Sequence, residues 1–160
     1  MIPTIAPHTV VMSGIDWNGF AYGLSYPFSP TDAGRSTSRR PRQSNDCSVR
    51  AVALTCGLEY DAAYDLLADA GRRCARGFDI VTWLNAQPWA EHLSFQAVKG
   101  QRRMNPATFC ERYTDDHYII RTAKHVSAVI NGILYDAHEM RPDRCIYRAW
   151  RVFPSASDLS

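Results

Sequence analysis

Two apolar runs, HVSAVI (125–130) and ILYDA (133–137), are separated by Asn131-Gly132. Asn-Gly between apolar runs is the strongest short hairpin signal, because a two-residue type I′ turn needs positive φ at both central positions. A turn of that length also fixes register, pairing 130 with 133, 128 with 135 and 127 with 136. The strand period of two then puts residues 125, 127 and 136 on one face. HYIIRT (117–122) reads as a neighbouring strand, Cys145–Phe153 as a last strand, and Leu93–Val98 as a further candidate.

The chain before this region has a different period. Ser44, Asn45 and Asp46 are N-cap types, and CSVRAVALTC after them carries apolar residues at 49, 52, 53 and 56. Gly57 suits the stop. A second helix is predicted from about Tyr60 to Ala70, and a third from about Phe78 to Ala86. A short helix over Asn105–Tyr113 is opened by Pro106. Residues 1–43 read as an irregular segment with short edge strands at Thr9–Met12 and Phe20–Tyr22. SPTDAGRSTSRRPRQ (29–43) within it reads as a mobile loop. Helices first and antiparallel strands after predict an α+β fold, one domain over residues 1–160 with its core in 44–160.

Charge narrows the function classes. The net charge is only +2, so composition does not make the chain a nucleic-acid binder. The balance hides a bias, since residues 35–50 hold five Arg against one Asp, while 58–69 hold Glu59, Asp61, Asp65 and Asp69 with no basic residue. The basic loop Arg35–Arg42, with aromatics such as Trp17 and Tyr22, is the one feature that keeps nucleic acid open. No run approaches about 18 consecutive apolar residues, which excludes a membrane-spanning helix. MIPTIAPHTVVMSG lacks the basic n-region of a secretory signal. Five cysteines without a signal and without a CxxC pair lead us to expect free thiols in a reducing, cytoplasmic compartment, and no zinc ribbon or finger. GxGxxG and the P-loop pattern are absent, so no nucleotide cofactor is expected.

One constellation carries chemistry. Cys47 opens the first predicted helix, where unpaired N–H groups and the helix dipole favour a thiolate. Arg42 and Arg50 would push the same way if near. Cys56 and Cys110, among apolar helix positions, read as buried structural thiols. The hairpin register makes Asp136 the diagonal neighbour of His125, close enough for the carboxylate to fix the imidazole. His138 falls opposite His125 and competes with it. An acyl-transfer site also needs oxyanion donors. The backbone N–H of Cys47 is one, and the side-chain amide of Gln43 or Asn45 would be the second. Trp83 and Trp150 sit on predicted elements and read as core, whereas Trp17 and Trp89, near Gly or Pro, are candidates to line a cleft.

A helix-opening Cys, then a strand His, then an Asp on the next strand resembles the papain-like cysteine peptidase superfamily. SNDCSVRAVALTCGLEYDAAYDLL is similar to the nucleophile helix of its small bacterial members. YIIRTAKHVSAVINGILYDAH is similar to their His-strand, turn, Asp-strand block. Bacteriocin-leader-processing peptidases and NlpC-like hydrolases are the comparisons in point. The same blocks with RCIYRAW also resemble a group of small bacteriophage proteins. The likeness covers residues 43–56, 117–138 and 144–150.

The resemblance implies N-terminal helices, with the nucleophile on the first, packed on a C-terminal antiparallel sheet. It implies Cys47 as nucleophile, His125 as general base and Asp136 as orienting group, acting on a protein or peptide substrate without cofactor or metal. Gln43 lies four residues before Cys47, where the superfamily often has about six, and Ser48 follows where Gly or Trp is common. The expected function is a cysteine hydrolase of amide, peptide or isopeptide bonds, working in the cytoplasm, or in the host's if phage-encoded. The alternatives are an acyltransferase or deamidase on the same triad, and a catalytically inactive binding or host-takeover protein.

Overall fold

The computed structural model describes residues 6–15 and 18–160. Trp17 lies outside the described residues. The strands are β1 (His8–Ile15), β2 (Ala21–Pro30), β3 (Ala90–Ser94), β4 (His117–Thr122), β5 (His125–Ile130), β6 (Ile133–Asp136) and β7 (Arg148–Val152). The helices are α1 (Cys47–Cys56), α2 (Tyr60–Asp69), α3 (Ile80–Asn85) and α4 (Pro106–Arg112). The fold is α+β, with one seven-stranded sheet in the order β1-β2-β6-β5-β4-β7-β3. No described helix is long and apolar enough to cross a membrane.

The Asn-Gly hairpin takes the expected register, Ile130 opposite Ile133 and Ala128 opposite Tyr135. Asn131 has φ 50° and Gly132 φ 78°, as a type I′ turn requires. A Cβ on Gly132 would also meet the Cys110 carbonyl oxygen at 3.1 Å, so helix α4 is packed directly on the turn.

Alternation along β4 sorts the core into two sides. Ile119 joins Val49, Val52, Tyr60, Leu67, Leu84 and Trp150 in the cluster beneath α1, α2 and α3. Ile120 joins Phe109, Tyr118, Val129, Leu134 and Ile146 in the cluster around α4. Helix α1 is buried along Ser48–Thr55 and closes on Gly57, where Leu58 N–H donates to the Ala53 carbonyl at 2.9 Å. That bond is the Schellman closure, and Gly57 supplies the left-handed residue it needs.

Five expectations need correction. The sheet is neither wholly C-terminal nor wholly antiparallel. Strands β1 and β2 precede the helices, and β2 runs parallel to β6 through Phe28, Ser29 and Pro30. They extend well beyond the short pieces expected because each supplies the other's ladder, from His8 opposite Phe28 to Ile15 opposite Ala21.

The strand expected at Leu93–Val98 lies at Ala90–Ser94, since its partner β7 offers only Arg148–Val152. Phe95 turns instead onto Phe109, 6.1 Å between ring centroids. Trp89 does not line a cleft. It is buried in the core beneath the helices and meets Trp83 edge-on at 5.7 Å.

Residues 29–43, expected as a mobile loop, are tied down. Asp32 accepts from Gly34 N–H at 3.0 Å and Ser36 N–H at 2.9 Å, closing a short 3-10 turn over Arg35–Thr37. Arg40 then reaches Asp61 at 2.6 Å and Asp65 at 2.7 Å, and lies 4.0 Å over the Tyr64 ring.

Candidate active site

His125 opens β5 and Asp136 closes β6, so both stand at the same end of the hairpin. Helix α1 packs along β5 and begins at this end with Cys47. The sheet therefore brings together three residues that are 78 and 11 positions apart in sequence. His125 Nε2 and Asp136 Oδ2 are 2.5 Å apart. With Nε2 on the carboxylate, Nδ1 is the ring nitrogen left for the thiol. His125 and the backbone N–H of Val126 are the neighbours that act on the Cys47 sulfur.

Asp136 is the most heavily held group in the site. Besides His125 it accepts from the Ser127 hydroxyl, from Arg50 Nη1 at 2.5 Å, and from its neighbour Ala137 N–H at 2.7 Å. Its own carbonyl accepts from Thr31 N–H at 2.8 Å, so β2 clamps it from the far side of β6.

Arg50, one turn into α1, spans two buried carboxylates. Its Nε donates to Asp46 Oδ1 at 3.2 Å while Nη1 holds Asp136. Asp46 also receives Arg35 at 3.1 Å and the Tyr60 hydroxyl at 2.8 Å.

This network decides the charge states. Burial opposes ionisation of Cys47, but the bonds from His125 and Val126 N–H, with the charges of His125 and Arg50, outweigh it and hold the thiol below its ordinary value. The bond to Asp136 and the bond to Cys47 raise His125 to about 9, against desolvation. Burial opposes the Asp136 carboxylate too, yet His125, Arg50 and Ser127 bring it down to about 2. Cys56 and Cys110 go the other way, burial pushing each up to about 12. All five cysteines are free, and Cys47 is the one whose surroundings favour a thiolate–imidazolium pair.

Asp46 occupies the N-cap position of α1 but makes no side-chain cap bond. Its carboxylate is turned to Arg35, Arg50 and Tyr60, which leaves the first-turn amides beside Cys47 uncapped by it. A cavity of about 370 Å³ opens there, between Asn45–Ser48, the segment leading into α3 from Gly77 to Ile80, and the β4–β5 connection.

Of the two oxyanion candidates, Asn45 lines this cleft and Gln43 does not. Asn45 has φ 49°, a left-handed conformation Asn tolerates, and its amide donates to the Ala75 carbonyl at 3.1 Å. Gln43 Oε1 is buried without a hydrogen-bond partner. His138 lies past the end of β6 and is exposed, so it does not compete with His125 for the thiol. Arg42 is exposed and is not among the groups acting on Cys47. Among the described residues no cluster of three or more His, Cys, Asp or Glu is placed to share a metal ion.

No family model, curated protein or solved structure matches the chain.

Sequence reasoning missed Ser127 and saw only part of what Asp46 and Arg50 do. Ser127 was findable, because it lies two residues from His125 and directly across from Asp136 in the expected register. Asp46 carries the wrong signal, since an Asp before a helix reads as a cap. Arg50 is legible as a nearby cation, but its span between two carboxylates depends on how α1 docks on β5 and β6.

Proposed function

We propose that the protein is a papain-like cysteine hydrolase that cleaves an amide, peptide or isopeptide bond through Cys47, His125 and Asp136. The observation that carries the reading is the Asp136–His125 contact at 2.5 Å behind the one thiol whose ionisation its neighbours favour.

In the first half-reaction the Cys47 thiolate adds to the substrate carbonyl carbon. Negative charge moves to the carbonyl oxygen, where the N–H of Cys47 and a second donor at the helix start receive it. His125 then gives its Nδ1 proton to the departing nitrogen, and a thioester to Cys47 remains. In the second half, neutral His125 takes a proton from water, hydroxide displaces the thiolate, and the acid is released. Asp136 keeps Nε2 bonded throughout, so Nδ1 always faces the sulfur. Acyl transfer to an amine would share the first half and differ only in the nucleophile that resolves the thioester.

The test is site-resolved iodoacetamide labelling across pH on wild type and His125→Ala, with Cys47→Ala as the blank. The expected outcome is fast labelling at Cys47 below about pH 7, with the profile moved to higher pH in His125→Ala. If Cys47 labels no faster than the exposed Cys74 and titrates like a free thiol, the hydrolase reading fails. An inactive binding protein on this scaffold is then the reading to pursue.

A further inference from the structure

The cleft beside Cys47 is one-sided in charge. Arg121, at the end of β4, and Lys124, in the two-residue turn to β5, both line it, and no Asp or Glu does. Lys124 is exposed and held at φ 56°, at the mouth of the cleft next to His125. Neither cation forms an ion pair among the described residues. Arg35, Arg39, Arg40 and Arg50, by contrast, are each paired with a carboxylate.

Arg121 also stands directly opposite Arg148 in the β4–β7 pair. Like charges in that position repel and weaken a sheet. Asp79 on the rim feels the Arg121 charge, but its carboxylate is occupied by the Thr82 amide at 3.0 Å and hydroxyl at 2.6 Å. An anion arriving in the cleft would meet Arg121 and Lys124 together.

We infer that the cleft receives a substrate chain carrying an anionic group, carboxylate or phosphate, beside its scissile bond, with Arg121 and Lys124 as the residues that bind it. The inference rests on the hydrolase reading of Cys47 and gives it a substrate class. Arg121 brings a planar fork suited to two oxygens, while Lys124 supplies a mobile point charge at the entrance.

The test compares two alkylating agents that differ in charge. Iodoacetate is an anion of the size of iodoacetamide, so the ratio of their rates at Cys47 reads the field of the cleft. N-acetylcysteinamide gives the same ratio for a free, uncharged thiol. The His125 cation raises the ratio in every variant, so the comparison that decides is between variants. At low ionic strength the ratio should exceed that of the free thiol. It should fall at least about twofold in Arg121→Gln, again in Lys124→Gln, and toward the variants' level in wild type at high salt.

A ratio unchanged in the double variant overturns the anion cleft. If iodoacetamide still labels Cys47 fast, the hydrolase reading survives that failure. If iodoacetamide shows no activated thiol, both fall. Three short peptides of equal length, containing Glu, phosphoserine or Gln, then separate the sources by protecting Cys47 from iodoacetamide. Stronger protection by either anionic peptide supports the inference and names its anion, and equal protection by all three overturns it.

Discussion

Arg50 carries more of the site than its surface charge suggests. Its guanidinium lies between Asp46 and Asp136, both buried, and it is itself buried in α1. Removing it leaves two buried carboxylates facing each other without their shared cation. Arg50→Met should therefore destabilise the fold by about 3–5 kcal/mol, read as a fall in the urea midpoint at constant slope. Arg50→Lys keeps a charge but loses the fork that reaches both partners, and should fall between. A midpoint within error of wild type in Arg50→Met would mean that the network contributes nothing. Asp136→Asn tests the other end. A neutral amide still accepts from Nε2 but no longer favours the imidazolium, so the Cys47 labelling profile should move to higher pH. Fold stability, from the same urea titration, separates this from simple unfolding.

At the scale of elements, the β5–β6 hairpin sets the distance between His125 and Asp136, and its turn is the point of leverage. Gly132→Ala introduces a Cβ at φ 78°, 3.1 Å from the Cys110 carbonyl. Both strain and contact oppose it, and a loss of about 1–3 kcal/mol is expected, with α4 amides exchanging faster by hydrogen-exchange mass spectrometry. An unchanged midpoint would show that the turn and α4 relax together without loss. This hairpin was also the most legible part of the sequence, because Asn-Gly dictates both turn and register locally. Helix α1 was legible for the same reason, through its apolar spacing and Gly57. The elements read poorly are those whose limits a distant partner sets. Strand β3 ends where β7 ends, and β1 and β2 lengthen only because they meet each other. The site followed the same rule. Cys47, His125 and Asp136 could be named from helix start and register. The roles of Asp46 and Arg50 depend on the docking of α1, and the cleft beside Arg121 and Lys124 on the position of the segment leading into α3.

Over the whole molecule, the basic segment at 35–50 and the acidic segment at 58–69 face each other across the start of α2. Arg39 and Arg40 are engaged by Asp61 and Asp65, which leaves less of the loop's charge for an outside partner. Single-stranded DNA should accordingly show only weak binding at physiological salt, and tight binding with a steep salt slope in a filter assay would contradict this. Net stability should record the buried charges instead. His125 is raised in the fold to about 9 from an ordinary 6.5, so its contribution is complete below about pH 6.5 and is lost as pH rises through about 9. Asp136 is lowered to about 2 from 3.8, so its contribution is complete above about pH 4 and is lost as pH falls through about 2. Cys47, lowered from 9.0, contributes in the opposite sense to His125 on the alkaline side. Cys47→Ala removes that opposing contribution and leaves the carboxylate–imidazolium pair. Its urea midpoint should hold level between about pH 4 and 6.5 and decline above that, the decline ending short of about pH 9 because the share of the His125 shift that Cys47 supplies is gone. In Cys47→Ala/His125→Ala the alkaline decline should vanish, while the acid decline persists because Arg50 and Ser127 still hold Asp136. Parallel curves for the two variants would mean that His125 gains no proton affinity on folding, and the ion pair at the centre of the site would have to be abandoned.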